Sequence, residues 1–324
     1  MASSVYFNAV AKTKEATLLT ENDLFAILDC KDLLSVKKLL SEKGLLLGEN
    51  IERYLDLMKI VKNEKKAFYT FLKTNTPDMN ISKYFLIDVD YENLQNVYLA
   101  WKLGGKRVEC DYEGIYSAED IHRAVEKGEY GHISTEMKLA IEFCDSIISS
   151  DKKSTFLVNS AFKKSKAKEL LILAKKQKEL KDVIVFKIDA DNILLARMLK
   201  DYSVIKDVKC DGGSLSDEML KKLCELDAPS IKREFMFSEY RSLIELALNV
   251  QDMKSRLLFE QMVDSYFLNT LDERKYDLSK NMPYIRYAVN KSTELINLKI
   301  IFEGLASKLD TEKLKFELRR VYAK

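Results

Sequence analysis

Breakers of regular structure are scarce in this sequence. Its 324 residues include only 10 glycines and 3 prolines, where average usage gives about 23 and about 16. These residues supply tight turns and interrupt helices, so the shortage excludes turn-rich β-sandwiches, propellers and collagen-like chains. Histidine is rarer still, with two copies, His122 and His132. Ten residues apart, they cannot share a helix face as metal-binding i, i+4 pairs do, and neither sits in a nucleophile signature. The five cysteines (Cys30, Cys110, Cys144, Cys210 and Cys224) form no C-x-x-C pair. An odd, scattered set predicts buried thiols in a reducing compartment, not a disulfide framework. No charge sign dominates: 53 Lys+Arg face 51 Asp+Glu, a net charge of +2, which leaves no global footprint for nucleic acid. The start lacks an apolar signal-peptide core, and no apolar run reaches the ~18 residues that span a bilayer.

What is present is helical spacing. Leu94, Val97, Tyr98 and Trp101 fall at i, i+3, i+4 and i+7, as do Leu298, Ile301, Phe302 and Leu305, and Leu195, Met198, Leu199 and Tyr202. Each set lines one face of a 3.6-residue period. The β-like run Val183 to Phe186 is isolated. The expected class is all-α.

An internal repeat overlies this pattern. An acid, two residues, Asn and then Leu or Ile occurs as Asp90–Asn93–Leu94, as Asp189–Asn192–Ile193 and as Glu294–Asn297–Leu298, with Asn-to-Asn intervals of 99 and 105 residues. Each copy is expected to open a long helix, with the acid as its N-cap or dipole partner. A second marker, hydroxyl then acids then an apolar position, occurs at Thr20, Ser117, Ser216 and Thr311, with intervals of 97, 99 and 95 residues. These look like helix N-caps. A period of ~100 residues is too long for a solenoid unit of ~20–50 and predicts three related helical modules: 1–114, 115–213 and 214–324, the last carrying a C-terminal helix from Thr311 to Tyr322.

Candidate chemistry is thin. Leu103-Gly104-Gly105-Lys106-Arg107 echoes a P-loop, but Ala100 and Arg107 replace its first glycine and its hydroxyl residue, so a glycine C-cap is expected instead. An EF-hand starting at Asp88 fails at Asn93 and Leu99. Facing aspartates from two helices (Asp88, Asp90, Asp189, Asp191) would suit a Mg²⁺-dependent all-α enzyme, although the third repeat carries only Glu294. Eight lysines from Lys163 to Lys181 would suit an amphipathic helix face, a lipid headgroup surface or an acidic partner. No catalytic, cofactor-binding or metal-binding residue is assigned. The chain reads as an adaptor or a helical scaffold.

The ordered motifs resemble the C-type subunit family of the bacterial and archaeal V-type (A-type) ATPases, also known as the d-type subunit of rotary ATPases. Tyr6 to Ala9 and Lys14 to Leu19 look like that family's opening. Asp90-x-x-Asn93-Leu94 through Gly104, Asp189-x-x-Asn192 and Glu294-x-x-Asn297-Leu298 look like its three acid-x-x-Asn helices. Departures are Lys12 and Lys14 in place of arginine, Arg197 and Lys200 in place of the Tyr98 and Trp101 of the first copy, and Lys308 in place of Gly104. The resemblance implies three similar helical domains around a pseudo-three-fold axis, forming a funnel. It implies a non-catalytic rotor component on the cytoplasmic face of the membrane. The D and F subunits of the central stalk would enter the funnel, and the proteolipid rotor ring would lie below. ATP hydrolysis or synthesis would thereby be coupled to proton or sodium transport, with no nucleotide or nucleic acid bound by this component.

Overall fold

The computed structural model describes residues 4–46, 48–149, 155–274, 276–277 and 281–321. Tyr322, the expected end of the C-terminal helix, lies outside them. The described residues form sixteen α-helices joined by loops and three short 3-10 turns, with no strand among them. The Val183–Phe186 run is helical, and its β-branched Val183 and Ile184 are buried. The three prolines explain how long helices coexist with breakers. Pro229 and Pro283 occupy the first turns of their helices, where a missing N–H costs nothing. Pro77 precedes the helix that begins at Met79.

The chain divides into two units, Met1–Ser82 with Asp264–Lys324, and Lys83–Val263. The first contains α1 (Ser4–Glu15), α2 (Glu21–Leu28), α3 (Leu33–Glu42), α4 (Met58–Thr74), the start of α5 (Met79–Gly104), the end of α14 (Met253–Asp272), α15 (Met282–Ala306) and α16 (Thr311–Glu317). Helix α15 packs against α1, α2, α4 and α16. Its Leu298, Ile301 and Phe302 join Leu24, Ile27, Leu40, Ile60 and Leu314 in one core. Aromatic pairs extend this packing: the Phe71 ring lies 5.8 Å from Tyr284 and 5.0 Å from Tyr287.

The second unit contains the rest of α5, then α6 (Ala118–Lys127), α7 (Thr135–Ser149), α8 (Thr155–Leu173), α9 (Lys178–Leu199), α10 (Tyr202–Val208), α11 (Asp217–Glu225), α12 (Ala228–Glu234), α13 (Arg241–Ala247) and the start of α14. It holds two cores. Leu94, Val97 and Tyr98 of α5 pack with Ile121, Ile141 and Phe162. Ile193 and Ala196 of α9 pack with Ile205, Leu223, Leu243 and Phe259. The second half of α5 thus shares its core with the helices that follow it. Trp101 falls off that face and is exposed.

Two boundary expectations change. Helix α9 stops at Leu199 because Lys200 takes a left-handed φ of 53°, so Tyr202 belongs to α10. Thr20, Ser117 and Ser216 are N-caps, but Thr311 is the first helical residue of α16. Asp310 is its cap, accepting the Glu312 amide at 2.9 Å.

Candidate functional site

The repeat signature lies in the middle of three long helices, not at their starts. Asp90 is inside α5, Asp189 inside α9 and Glu294 inside α15. All three acids and their asparagines are buried, and Leu94, Ile193 and Leu298 are completely so. A carboxylate in mid-helix cannot reach its own helix's orphan amides. Each one satisfies backbone from another segment instead.

The first joint is made by Asp90. Its Oδ2 accepts the Ile115 amide at 2.7 Å and its Oδ1 the Tyr116 amide at 3.2 Å. Asn93 Nδ2 donates to the Tyr112 carbonyl at 2.8 Å. The second repeats it with the same chain separation: Asp189 accepts Ser214 at 2.8 Å and Leu215 at 3.0 Å, and also the Tyr240 hydroxyl at 2.6 Å. Asn192 holds both the carbonyl and the amide of Cys210, at 2.9 and 2.8 Å. In the third, Glu294 Oε2 accepts the Leu19 amide at 2.6 Å across a separation of 275 residues. Asn297 there holds the carbonyl and amide of Arg319 at 2.9 and 2.7 Å. Tyr116, Leu215 and Leu19 each directly precede an N-cap, Ser117, Ser216 and Thr20. The two sequence markers are therefore the two halves of one device. A buried acid seats the loop that starts a capped helix, and its asparagine pins a second stretch of backbone.

Sequence reasoning missed what lets the loop come this close. A Cβ on Gly114 would stand 2.5 Å from Asp90 Cγ, and one on Gly213 would meet Asp189 Oδ1 closer still. These glycines sit three residues before Ser117 and Ser216. The visible signal was G-x-x-S followed by acids. In the third copy Thr17 stands at that place and the acid is Glu294, whose side chain is longer by one methylene. Glu294 also accepts Lys291 Nζ at 2.6 Å, and Lys291 bonds Glu64 at 2.6 Å.

Over residues 7–316 the sequence matches the profile of the ATP synthase (C/AC39) subunit. The chain belongs to the V-type ATPase C/AC39 subunit family. No curated protein matches it at a significant level. The family is a non-catalytic one, and the nine signature residues from Asp90 to Leu298 lie inside the matched span.

The other polar residues that the sequence singles out fall in separate places in this C/AC39 chain. Asp90 and Asp189 do not converge: each is bonded within its own joint. Asp88 is paired with Lys166 at 2.9 Å and Asp191 with Lys163 at 3.2 Å. Among the described residues no group of three or more His, Cys, Asp or Glu could hold a metal. His122 is buried, its ring nitrogens 2.8 Å from Glu126 and 2.9 Å from the Val108 carbonyl, and His132 is exposed. Cys210 borders a cavity of about 250 Å³ beside the second joint, but burial pushes its thiol up to about 12, and that of Cys144 likewise, which leaves little thiolate at neutral pH. Gly105 ends α5 in the left-handed region, with its amide on Trp101 and that of Lys106 on Ala100, the glycine C-cap expected in place of a P-loop. Arg197 bonds the Leu223 carbonyl at the end of α11 at 2.6 Å, where Tyr98 of the first copy bonds Asp145 at 2.8 Å. Among the described residues no helix is long and apolar enough to cross a membrane.

One buried acid stands apart from the joints. Glu169 is 8% exposed and accepts Ser134 Oγ at 2.7 Å and Tyr91 Oη at 3.1 Å. Burial raises its pKa; the two hydroxyl bonds pull it back without cancelling the effect, and the charge of Glu136 adds to the rise. A raised folded-state value means that the folded chain binds this proton more tightly than the unfolded chain. The stability so gained is complete below the unfolded value near pH 4.3 and is lost as pH rises through the folded value. Glu169→Gln is therefore expected to raise the unfolding free energy at about pH 7 and to change it little near pH 4, as read by urea melts at the two pH values. Equal effects at both would show that the carboxyl does not carry the dependence.

Proposed function

We propose that this C/AC39-family chain is the non-catalytic rotor component that links the D and F subunits of the central stalk to the proteolipid ring at the cytoplasmic face of the membrane. ATP hydrolysis or synthesis is thereby coupled to proton or sodium movement. The family match over residues 7–316 carries this reading. The joints support it. With modules at 1–114, 115–213 and 214–324, Asp90 of the first seats a loop of the second and Asp189 of the second seats a loop of the third. Glu294 of the third seats Leu19 of the first. Under that division the hand-over along the chain would return to its start, which would suit a pseudo-three-fold funnel around a coaxial stalk. Long helices with buried polar cross-links also give the stiffness that torque transfer needs.

The test is assembly followed by transport. Co-expressed with the stalk proteins and the ring, the chain is expected to co-purify with both. A complex lacking it should retain ATP hydrolysis in the catalytic sector and lose ATP-driven ion uptake into vesicles. Undiminished uptake without the chain would overturn the coupling role. Failure to bind either partner at low salt would leave a helical scaffold for other proteins.

A further inference from the structure

The eight-lysine segment is split in two by the fold. Lys163, Lys164, Lys166 and Lys168 of α8 are each neutralised, by Asp191, Asp211, Asp88 and Glu136 at 3.2, 3.5, 2.9 and 3.0 Å. Lys175, Lys176, Lys178 and Lys181 are all exposed and have no carboxylate in ion-pair range among the described residues. They occupy the 3-10 turn Ala174–Lys176 and the first turn of α9, the tip of the α8–α9 hairpin. Beside them, one turn back on α8, Ile172 is 57% exposed.

We propose that this hairpin tip is a docking surface for an anionic lipid bilayer. The lysines do not serve the fold: Lys178 and Lys181 stand at the positive end of α9, where cations oppose the helix dipole. Lys178 lies opposite the helix face that carries the buried Leu180, Val183 and Ile184. Within 174–182 they outnumber the acids, with four lysines against Glu179 and Asp182. Clusters of four or more lysines bind the surface of acidic lipids, and one exposed aliphatic side chain adjoining them suits insertion at the headgroup boundary. A single-stranded nucleic acid would need stacking aromatics, and residues 170–182 contain none. An acidic protein segment would match the charge but gives no use for Ile172. The inference goes beyond the rotor reading and does not depend on it.

The test is flotation of the full chain with vesicles of phosphatidylcholine alone or mixed with phosphatidylserine, at low and high salt. Binding is expected only to the mixed vesicles and is expected to fall away at high salt. The combined Lys175→Glu, Lys176→Glu, Lys178→Glu and Lys181→Glu variant should bind at least about a hundredfold more weakly, at roughly fivefold per lysine. Its melting curve and its binding to the stalk proteins should be unchanged, because all four side chains are exposed. Ile172→Ser should weaken vesicle binding about tenfold or less. Equal binding to neutral vesicles, full retention by the quadruple variant, or binding of soluble polyglutamate without binding of vesicles would each overturn the proposal.

Discussion

Asp189→Ala is expected to lower the unfolding free energy of the Lys83–Val263 unit by about 3–5 kcal/mol, the largest effect of any single side chain in the three joints. The carboxylate is completely buried and accepts three donors, the Ser214 and Leu215 amides and the Tyr240 hydroxyl. Alanine leaves all three without a partner in the joint, and each buried unsatisfied donor costs about 1–3 kcal/mol. The lower part of that combined range applies because the loop can swing outward to water. Hydrogen exchange at Ser214 and Leu215 reports the local event and urea melts the global one. Asp189→Asn keeps one acceptor oxygen but turns an amide toward a second donor, so it should fall between wild type and alanine. Glu294→Ala should cost less, since it frees one amide, Leu19, and leaves Lys291 paired with Glu64. A loss at Asp189 smaller than at Glu294, with unchanged exchange at 214 and 215, would show that the joint does not hold the loop.

Why the sequence revealed the parts of this device but not its assembly is a matter of distance along the chain. The period-3.6 faces of Leu94 and Leu298 report local burial, and both residues are completely buried. The acid-x-x-Asn spacing was also visible, because i and i+3 share a helix face. The partner of each acid was not. In two copies it lies 25 residues downstream and in the third 275 residues away, and no periodicity connects a mid-helix carboxylate to a loop. Local statistics therefore favour the commoner use of Asp, at a helix start, and placed Asp90 and Asp189 there. Tyr240 and Glu169 were invisible for the same reason: they act through long-range hydroxyl–carboxylate bonds, one at Tyr240 and two at Glu169. The lysine segment shows the converse. Its charge was legible, but the division into paired and unpaired halves depends on acids from α5, α7 and α9 and from the loop at Asp211.

Gly213→Ala should act on the same joint from the opposite side. The added methyl meets the Asp189 carboxylate and lies 2.9 Å from Ile188 Cγ2. Since Ile188 and Asp189 are buried within α9, neither can step aside as a surface side chain would. The loop must lift, and the amides of Ser214 and Leu215 lengthen away from their acceptor. Overpacking of this kind costs about 1–3 kcal/mol, with exchange at 214 and 215 rising in step. Gly114→Ala should behave alike against Asp90, where the new atom would stand 2.5 Å from both Cγ and Oδ1. The decisive measurement is the double mutant. In an Asp189→Ala background the obstructing oxygen is gone and the amides are already released, leaving only the contact with Ile188 Cγ2, so the added methyl at 213 should cost less than in the wild type and the two losses should fall short of additive. Additive losses would mean that glycine is needed there to clear Ile188 and not the carboxylate. Strong coupling would mean that glycine and acid are two halves of one contact, with the small residue present because the carboxylate is.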